Sequence, residues 1–156
     1  MFSESEQKAI NEKLEQLTKI KEGSLTQEEL TNLITERRIN WIKINFHRLL
    51  DKYFSLSLEE LAYNIIFFEH MKINPKYSKM KRVSKNKLEI NSYNFCLYLE
   101  ACKLLSLDTK FICKEIWEPS IKKMISLIDP HLNFDRDYSH IRPHTPFCKE
   151  YIKIKN

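Results

Sequence analysis

A single glycine, at position 23, constrains this 156-residue chain more than any other feature of its sequence. Glycine supplies the positive φ angles of tight primed hairpins and the bare backbone of loops that surround phosphate groups. A chain with one glycine cannot easily make many such hairpins. It also lacks the P-loop and dinucleotide-binding fingerprints, so the nucleotide-dependent enzymes that use those loops are excluded.

Three helices are predicted in the N-terminal half, each opened by a Ser/Thr-x-x-Glu capping box. Apolar residues recur behind each box at three- and four-residue spacings, as in amphipathic helices. Gly23 suits the end of the first helix. Pro75 ends the third, because the residue before a proline is disfavoured in the helical region. The predicted helices span residues 3–22, 26–54 and 57–73.

Two segments far apart in the chain predict strands. The region after Pro75 is basic and alternates weakly between polar and apolar residues, whereas the C-terminal segment alternates more clearly. Distant strands can pair antiparallel, so we predict a small antiparallel sheet formed by strands near 83–90 and 147–154. Between them we expect short helices near 94–106, 109–117 and 119–128, and an ordered loop over 130–146.

The fold class expected from these elements is α+β, predominantly helical, in a single domain over residues 1–156. We expect helix 1–23 at the periphery and residues 76–156 as the half that bears a site. Hydrophobic residues make up 42% of the chain, which is enough for a core. No apolar run is long enough to span a bilayer and the start is acidic and polar, so we expect a cytoplasmic protein without membrane insertion.

The four cysteines form no Cys-x-x-Cys pair, so neither a zinc ribbon nor a thioredoxin site is indicated. Cys96 lies near the predicted start of a helix, where free N–H groups and the helix dipole favour the reactive thiolate. We predict it as a catalytic nucleophile, with Glu100 or His144 as the proton carrier. The alternative is a small buried thiol of the core, which suits Cys102 and Cys113.

The segment from His140 to Cys148 holds a second cluster. Imidazole and thiolate groups gathered by a loop can bind zinc or iron, so His140, His144 and Cys148 are candidate ligands of a divalent metal ion. Arg142 beside Pro143 offers a bidentate grip on a carboxylate or phosphate, which makes Arg142 and Cys148 candidate ligand-binding residues. The alternative for Arg142 is an ion pair with a nearby aspartate that orders the loop.

Strand pairing predicts where these residues meet. If strands 83–90 and 147–154 are antiparallel, the end of the first lies beside the start of the second. Cys96 follows the first strand, and Arg142 and Cys148 lie at the entry to the second. We therefore predict one pocket around these three residues, in which the helix terminus and the guanidinium favour a small anionic ligand.

A basic strip between residues 76 and 87 is the third candidate. It contains six lysine or arginine residues with Tyr77 among them, in a chain of net charge +5. Such a strip attracts phosphates and offers one stacking residue, which is typical of nucleic-acid binding. Lysines also protect an exposed strand edge from aggregation. Nucleic acid is therefore a less favoured partner than a small anion.

The C-terminal segment also carries a family resemblance. Cys96 follows a strand, Cys113 precedes a mid-region helix, residues 132–136 form a short Leu-Asn-Phe-Asp-Arg stretch, and Cys148 with Glu150 opens the last strand. This pattern resembles that of the L-2-amino-thiazoline-4-carboxylic acid hydrolase-like family. The resemblance implies the family's fold more strongly than a reaction, and the reaction it suggests is hydrolysis of a cyclic C–N bond.

Three functions are open from the sequence. The first is a hydrolase-like action on a cyclic amidine or amide carboxylate at a thiol-containing site. The second is a non-catalytic sensor that binds a ligand or a metal through the same pocket. The third is a basic adaptor that binds nucleic acid or protein. A pocket joining Cys96, Arg142 and Cys148 favours the first two, and a flat basic face favours the third.

Overall fold

The computed structural model describes residues 1–155, and more than half of them are helical. Six α-helices, a short 3-10 turn at Pro75–Tyr77 and four strands are present in this part of the chain, which confirms the predicted α+β, predominantly helical class. Helix α3 continues as π-helical turns over Asn64–His70, and α5 does so over Cys113–Trp117. The helices are α1 (Glu4–Glu22), α2 (Gln27–Tyr53), α3 (Leu58–Tyr63), α4 (Leu97–Leu105), α5 (Thr109–Ile112) and α6 (Glu118–Ile128), and the strands are β1 (Ser78–Ser84), β2 (Lys87–Ser92), β3 (Leu132–Asp137) and β4 (Cys148–Ile154).

The first two helices begin at the predicted capping boxes. The Ser3 hydroxyl accepts a hydrogen bond from the Glu6 N–H at 3.2 Å, and the Glu6 carboxylate accepts one from the Ser3 N–H at 2.8 Å. The same reciprocal pair joins Thr26 and Glu29 at the start of α2. Gly23 then ends α1 with φ 80°, a left-handed conformation that glycine adopts without steric cost.

The four strands form one antiparallel sheet in the order β1-β2-β4-β3. The predicted pairing of the two distant segments is confirmed, because β2 lies beside β4 with Ser92 opposite Cys148 and Leu88 opposite Ile152. Leu88 and Ile152 are fully buried on the face that packs against the helices. This register places the end of β2 next to the start of β4.

Strand β1, which the sequence had suggested was a loop, forms a hairpin with β2 and needs no glycine. The two residues of its turn, Lys85 and Asn86, both have negative φ, so the turn is not one of the primed types. The pairing register shifts between Arg82 and Ser84, and such a bulge adds the twist that a primed turn otherwise supplies.

Strand β3 lies within the stretch that we predicted as a loop. Leu132 and Phe134 are buried and lie opposite Ile154 and Ile152 of β4. The alternation was present in the sequence, but the prolines on both sides of it favoured the loop interpretation. Burial against α6 fixes this segment as an edge strand.

The helices cover one face of the sheet. Helix α2 packs on α6, and α6 packs on β3. Helix α1, expected at the periphery, packs on α4 and buries Ile10 and Leu17. Within residues 1–155, no helix combines the length and the apolar character needed to traverse a bilayer.

Candidate functional site: the cavity beside Cys96

A cavity of about 460 Å³ lies between the helices and one end of the sheet. Its wall includes Cys96, Arg142 and Cys148, so the structure brings these three predicted residues together. Helices α1 and α2 and the end of α3 form the opposite wall. The cavity is therefore shared by the N-terminal helices and the C-terminal half of the chain.

Arg142 connects the elements that meet at the cavity. Its backbone N–H and its Nε–H both lie 3.4 Å from the Cys148 Sγ atom, and its guanidinium donates to the carbonyl oxygen of Asn94. The Thr109 hydroxyl donates to the Arg142 carbonyl at 2.8 Å. Arg142 thus joins the start of β4 to the segment that leads into α4, rather than pairing with an aspartate.

Cys96 occupies the N-cap position of α4, with φ −135° and ψ 112°. Burial raises the pKa of its thiol, although the backbone N–H of Leu99 and the charge of Arg142 act in the opposite direction. The protonated thiol is therefore favoured at neutral pH, contrary to our expectation of a thiolate. Removal of the sulfur from water outweighs the effect of the helix terminus here.

A buried ion pair forms the sheet side of the cavity. Arg136 of β3 and Glu150 of β4 lie 2.8 Å apart, with side chains 5% and 4% exposed. The Ser92 hydroxyl donates to the second carboxylate oxygen of Glu150 at 3.0 Å, and the guanidinium lies 4.5 Å from the ring centre of Trp117. Burial raises the pKa of Glu150, and Arg136 opposes that rise. Within residues 1–155 the Arg136 Nε atom is buried without a hydrogen-bond partner.

Five charged or titratable side chains line the opposite wall: Glu12, Lys13, Arg37, Arg38 and His70. Arg37 and Glu12 pair with each other at 3.1 Å. Arg38 donates through Nε to the Ser120 hydroxyl at 2.9 Å. Lys13 lies 3.3 Å from the Tyr98 hydroxyl, and burial lowers its pKa to about 8. Burial also lowers the pKa of His70 to about 4, so its imidazole is neutral at pH 7. The cavity wall thus combines apolar surface with an excess of cationic groups.

Sequence reasoning missed these residues on the opposite wall, although a signal was present. Lys13 follows Ile10 by three positions, and Arg38 lies midway between Ile34 and Ile42 on one stripe of α2. A charged residue inside an apolar stripe is directed toward the core. Such a residue is seldom buried without a partner or a function.

The other predicted catalytic residues do not meet Cys96. Glu100 pairs with Lys103 at 3.2 Å and does not line the cavity. His144 is exposed and lies in a separate shallow depression beside Asp108. The structure therefore provides no proton carrier next to the Cys96 thiol from the set that we predicted.

The three candidate metal ligands do not converge on one point, and each has different contacts. The His140 imidazole bonds to the Asp137 carboxylate at 3.0 Å and stacks on Phe147, whereas Cys148 faces the cavity. Across residues 1–155, no group of three or more His, Cys, Asp or Glu side chains is placed to hold a metal ion. The contacts of His140 with Asp137 and Phe147 instead order the loop between β3 and β4.

One solved structure is similar to this chain along nearly its whole length. It is the crystal structure of a trafficking protein particle complex subunit 3 from Naegleria fowleri, covalently bound to palmitic acid. The TM-score is 0.52 at 13% sequence identity, and the match covers 97% of this chain and 95% of that chain. At this identity the likeness concerns the fold. Comparison with protein-family models and with curated proteins finds no match.

This finding corrects our functional prediction. The expected hydrolase, and the alternative of a ligand- or metal-binding sensor, are wrong, because the fold is shared with a subunit of a trafficking particle rather than with a hydrolase. The separation of Glu100 and His144 from Cys96 agrees with that correction.

Proposed function

We propose that this chain is an adaptor subunit of a multiprotein assembly that acts in membrane trafficking. The observation that carries the proposal is the fold likeness to a trafficking particle subunit over 97% of one chain and 95% of the other. Because both chains are covered almost completely, the likeness is to a whole subunit and not to a shared fragment.

Exposed apolar side chains on the helices support this proposal. Ile44 on α2 is 83% exposed and Phe54 at the end of α2 is 81% exposed. Leu104 on α4 is also largely exposed. Large apolar side chains in water cost free energy that a protein partner recovers when it covers them, and the centres of stable interfaces are enriched in them.

The test is the mass of the native assembly. A tagged copy, expressed at natural levels in the source cells and chemically cross-linked, should elute well above its monomer mass and hold other chains in a fixed ratio. An Ile44→Glu variant should lose part of that mass, whereas the neighbouring Lys43→Glu variant, also at an exposed site, should keep it. A tagged chain that runs as a monomer in cell extract would overturn the proposal.

We also propose that Cys96 carries a fatty acyl chain, as the Naegleria fowleri subunit carries palmitic acid. The thiol faces a cavity whose wall includes Phe67, Met71, Leu97 and Leu99, and these side chains offer apolar contacts to an alkyl chain. In the reaction the Cys96 sulfur attacks the carbonyl carbon of an acyl-coenzyme A. A new thioester forms, coenzyme A leaves, and the proton of the Cys96 thiol passes to the departing sulfur.

Intact-mass measurement after incubation with palmitoyl-coenzyme A tests this second proposal. The parent protein should gain the mass of one palmitoyl group, and hydroxylamine should remove it because a thioester is labile to that reagent. Cys96→Ser should not be modified, whereas Cys102→Ser, at a buried core thiol, should be modified like the parent. Labelling that persists in Cys96→Ser, or no labelling of the parent, contradicts the assignment.

A further inference from the structure

Strand β1 is an open edge of the sheet. Of its seven residues only Ser78 is buried. The Tyr93 N–H donates to the Tyr77 carbonyl at 2.7 Å, so this pair and every second pair after it carry the hydrogen bonds between β1 and β2. The N–H and C=O groups of Met80 and Arg82 therefore point away from β2. They form a free edge to which another strand can bind.

The two faces of this edge differ in chemistry. Lys79 and Lys81 lie opposite Asn91 and Glu89, on the face of the sheet turned away from the helices. Met80 lies opposite the buried Ile90, on the face turned toward the helices, and is 37% exposed. Arg82 lies on the same face as Met80, but its guanidinium is already paired with Glu59 at 2.9 Å and Glu60 at 3.4 Å. A strand added beside β1 would thus meet cationic side chains on one face, and Met80 with a neutralised arginine on the other.

The charge of the hairpin is only partly balanced. Residues 76–87 contain six cationic side chains and no acidic one. Lys81 pairs with Glu89 at 3.1 Å. Within residues 1–155, Lys79 and Lys85 have no carboxylate within ion-pairing distance. A second copy of β1 would be repelled by these lysines, so the edge resists pairing with itself.

We propose that β1 accepts an extended segment of a partner protein in which acidic and apolar residues alternate. The acidic residues lie beside Lys79 and Lys81, the apolar residues lie beside Met80, and the main chain bonds to the free groups of Met80 and Arg82. This proposal deepens the adaptor function and rests on it only in taking the partner to be a protein. In this proposal the basic strip favours acidic segments of a protein partner and does not bind nucleic acid.

The C-terminus provides a direct way to test this edge. The Ile154 N–H donates to the Asn86 carbonyl at 2.9 Å, so the last residues of β4 lie beside the turn of the hairpin and a tail fused to the end of the chain begins within a few residues of it. A flexible Gly/Ser linker of about 15 residues, followed by about six residues of alternating Glu and Val, can reach β1 and run antiparallel to it. Tethering gives an effective concentration of about 1 mM, so even a weak edge interaction is populated.

Hydrogen exchange of the Met80 and Arg82 amides is the readout, in the full-length chain with and without the tail. The Glu/Val tail should slow exchange of both amides by about tenfold, and a matched Lys/Val tail should not slow it. A Met80→Pro variant removes the edge N–H without removing a β1–β2 hydrogen bond and should lower the protection. The Met80→Ala variant keeps that N–H and should retain the protection from exchange that the Glu/Val tail gives.

Three outcomes overturn the proposal. The first is no protection by the Glu/Val tail, and the second is equal protection by the Glu/Val and Lys/Val tails. The third is protection of the tail-free protein by phosphatidylserine vesicles together with no effect of the Glu/Val tail, since the edge would then contact anionic lipid. If the edge fails while the chain still elutes within a larger assembly, only the edge assignment is lost and the adaptor function stands.

Discussion

The cavity wall and the β1–β2 hairpin both carry several cationic side chains, but they hold them in opposite surroundings. In the cavity, Arg136 is buried in contact with Glu150 and Trp117. On the hairpin, Lys79 and Lys85 are exposed to water. Burial makes each charge in the cavity energetically important to the fold, because an ion that leaves water must be compensated by the protein. The exposed charges of the hairpin cost the fold little free energy, and together they attract an acidic partner.

Among the substitutions that test this comparison, Arg136→Ala should have the largest effect on the free energy of unfolding. The substitution leaves Glu150 buried without its cationic partner, and the expected loss is about 3–5 kcal/mol in the free energy of unfolding. Urea denaturation monitored by circular dichroism measures it. Replacing the pair together, as Arg136→Met with Glu150→Leu, should recover most of the loss. A single variant as stable as the parent would show that the pair is not buried as described.

Lys13→Met should stabilise the protein in a pH-dependent way. Burial lowers the pKa of Lys13 to about 8 from 10.5, so the unfolded chain binds this proton more tightly than the folded chain does. Below pH 8 the charged lysine therefore costs about 3 kcal/mol in the free energy of unfolding, and most of that cost disappears as the pH rises to 10.5. The gain from Lys13→Met should be largest at pH 7 and small at pH 10.5. A gain that is constant with pH would contradict a lowered pKa.

The rate of Cys96 acylation should depend steeply on pH. Burial raises the pKa of the thiol above its usual 9.0, and the thiolate is the nucleophile. The rate with palmitoyl-coenzyme A should therefore rise by about tenfold per pH unit between pH 7 and 9 without reaching a plateau. Mass spectrometry at timed intervals gives these rates. A plateau below pH 8 would mean that the thiolate is stabilised after all.

The smallest effects should come from the hairpin. Lys79→Ser and Lys85→Ser should each change the free energy of unfolding by less than about 0.5 kcal/mol, because both side chains are exposed and neither forms an ion pair within the described residues. Lys79 contacts the exposed Tyr93 ring, with 5.2 Å from its Nζ atom to the ring centre. The urea midpoint of each variant measures this. A larger loss in the free energy of unfolding would indicate that the hairpin lysines stabilise the fold and are not available to bind a partner.

Local signals predicted much of the fold. The capping boxes at Ser3 and Thr26 and the stop at Gly23 each depend on a few neighbouring residues, so they can be read without knowledge of the packing. The pairing of β2 with β4 followed from alternation at two distant places. Strands β1 and β3 were missed because lysines obscure the alternation of one and prolines surround the other.

The cavity could be predicted only on the side where strands fix it. Cys96, Arg142 and Cys148 were grouped correctly because the β2–β4 register brings them together. The places of Lys13 and Arg38 in apolar stripes indicate burial, but the cavity that they reach is set by helix packing, which no local pattern specifies. The resemblance of the C-terminal segment to the L-2-amino-thiazoline-4-carboxylic acid hydrolase-like family stays a prediction, since no other finding tests it.

Gly23 also bears on how sequences for this architecture can vary. A Cβ atom built at this position meets nothing within 4 Å, so only the sign of φ favours glycine there. The chain already turns left-handed at Lys72 and Ser106, with φ of 56° and 54°. Gly23→Asn should therefore fold, at a cost of about 1 kcal/mol measured by thermal unfolding, and the resulting chain would contain no glycine at all. A sequence without any glycine should therefore be able to adopt this fold.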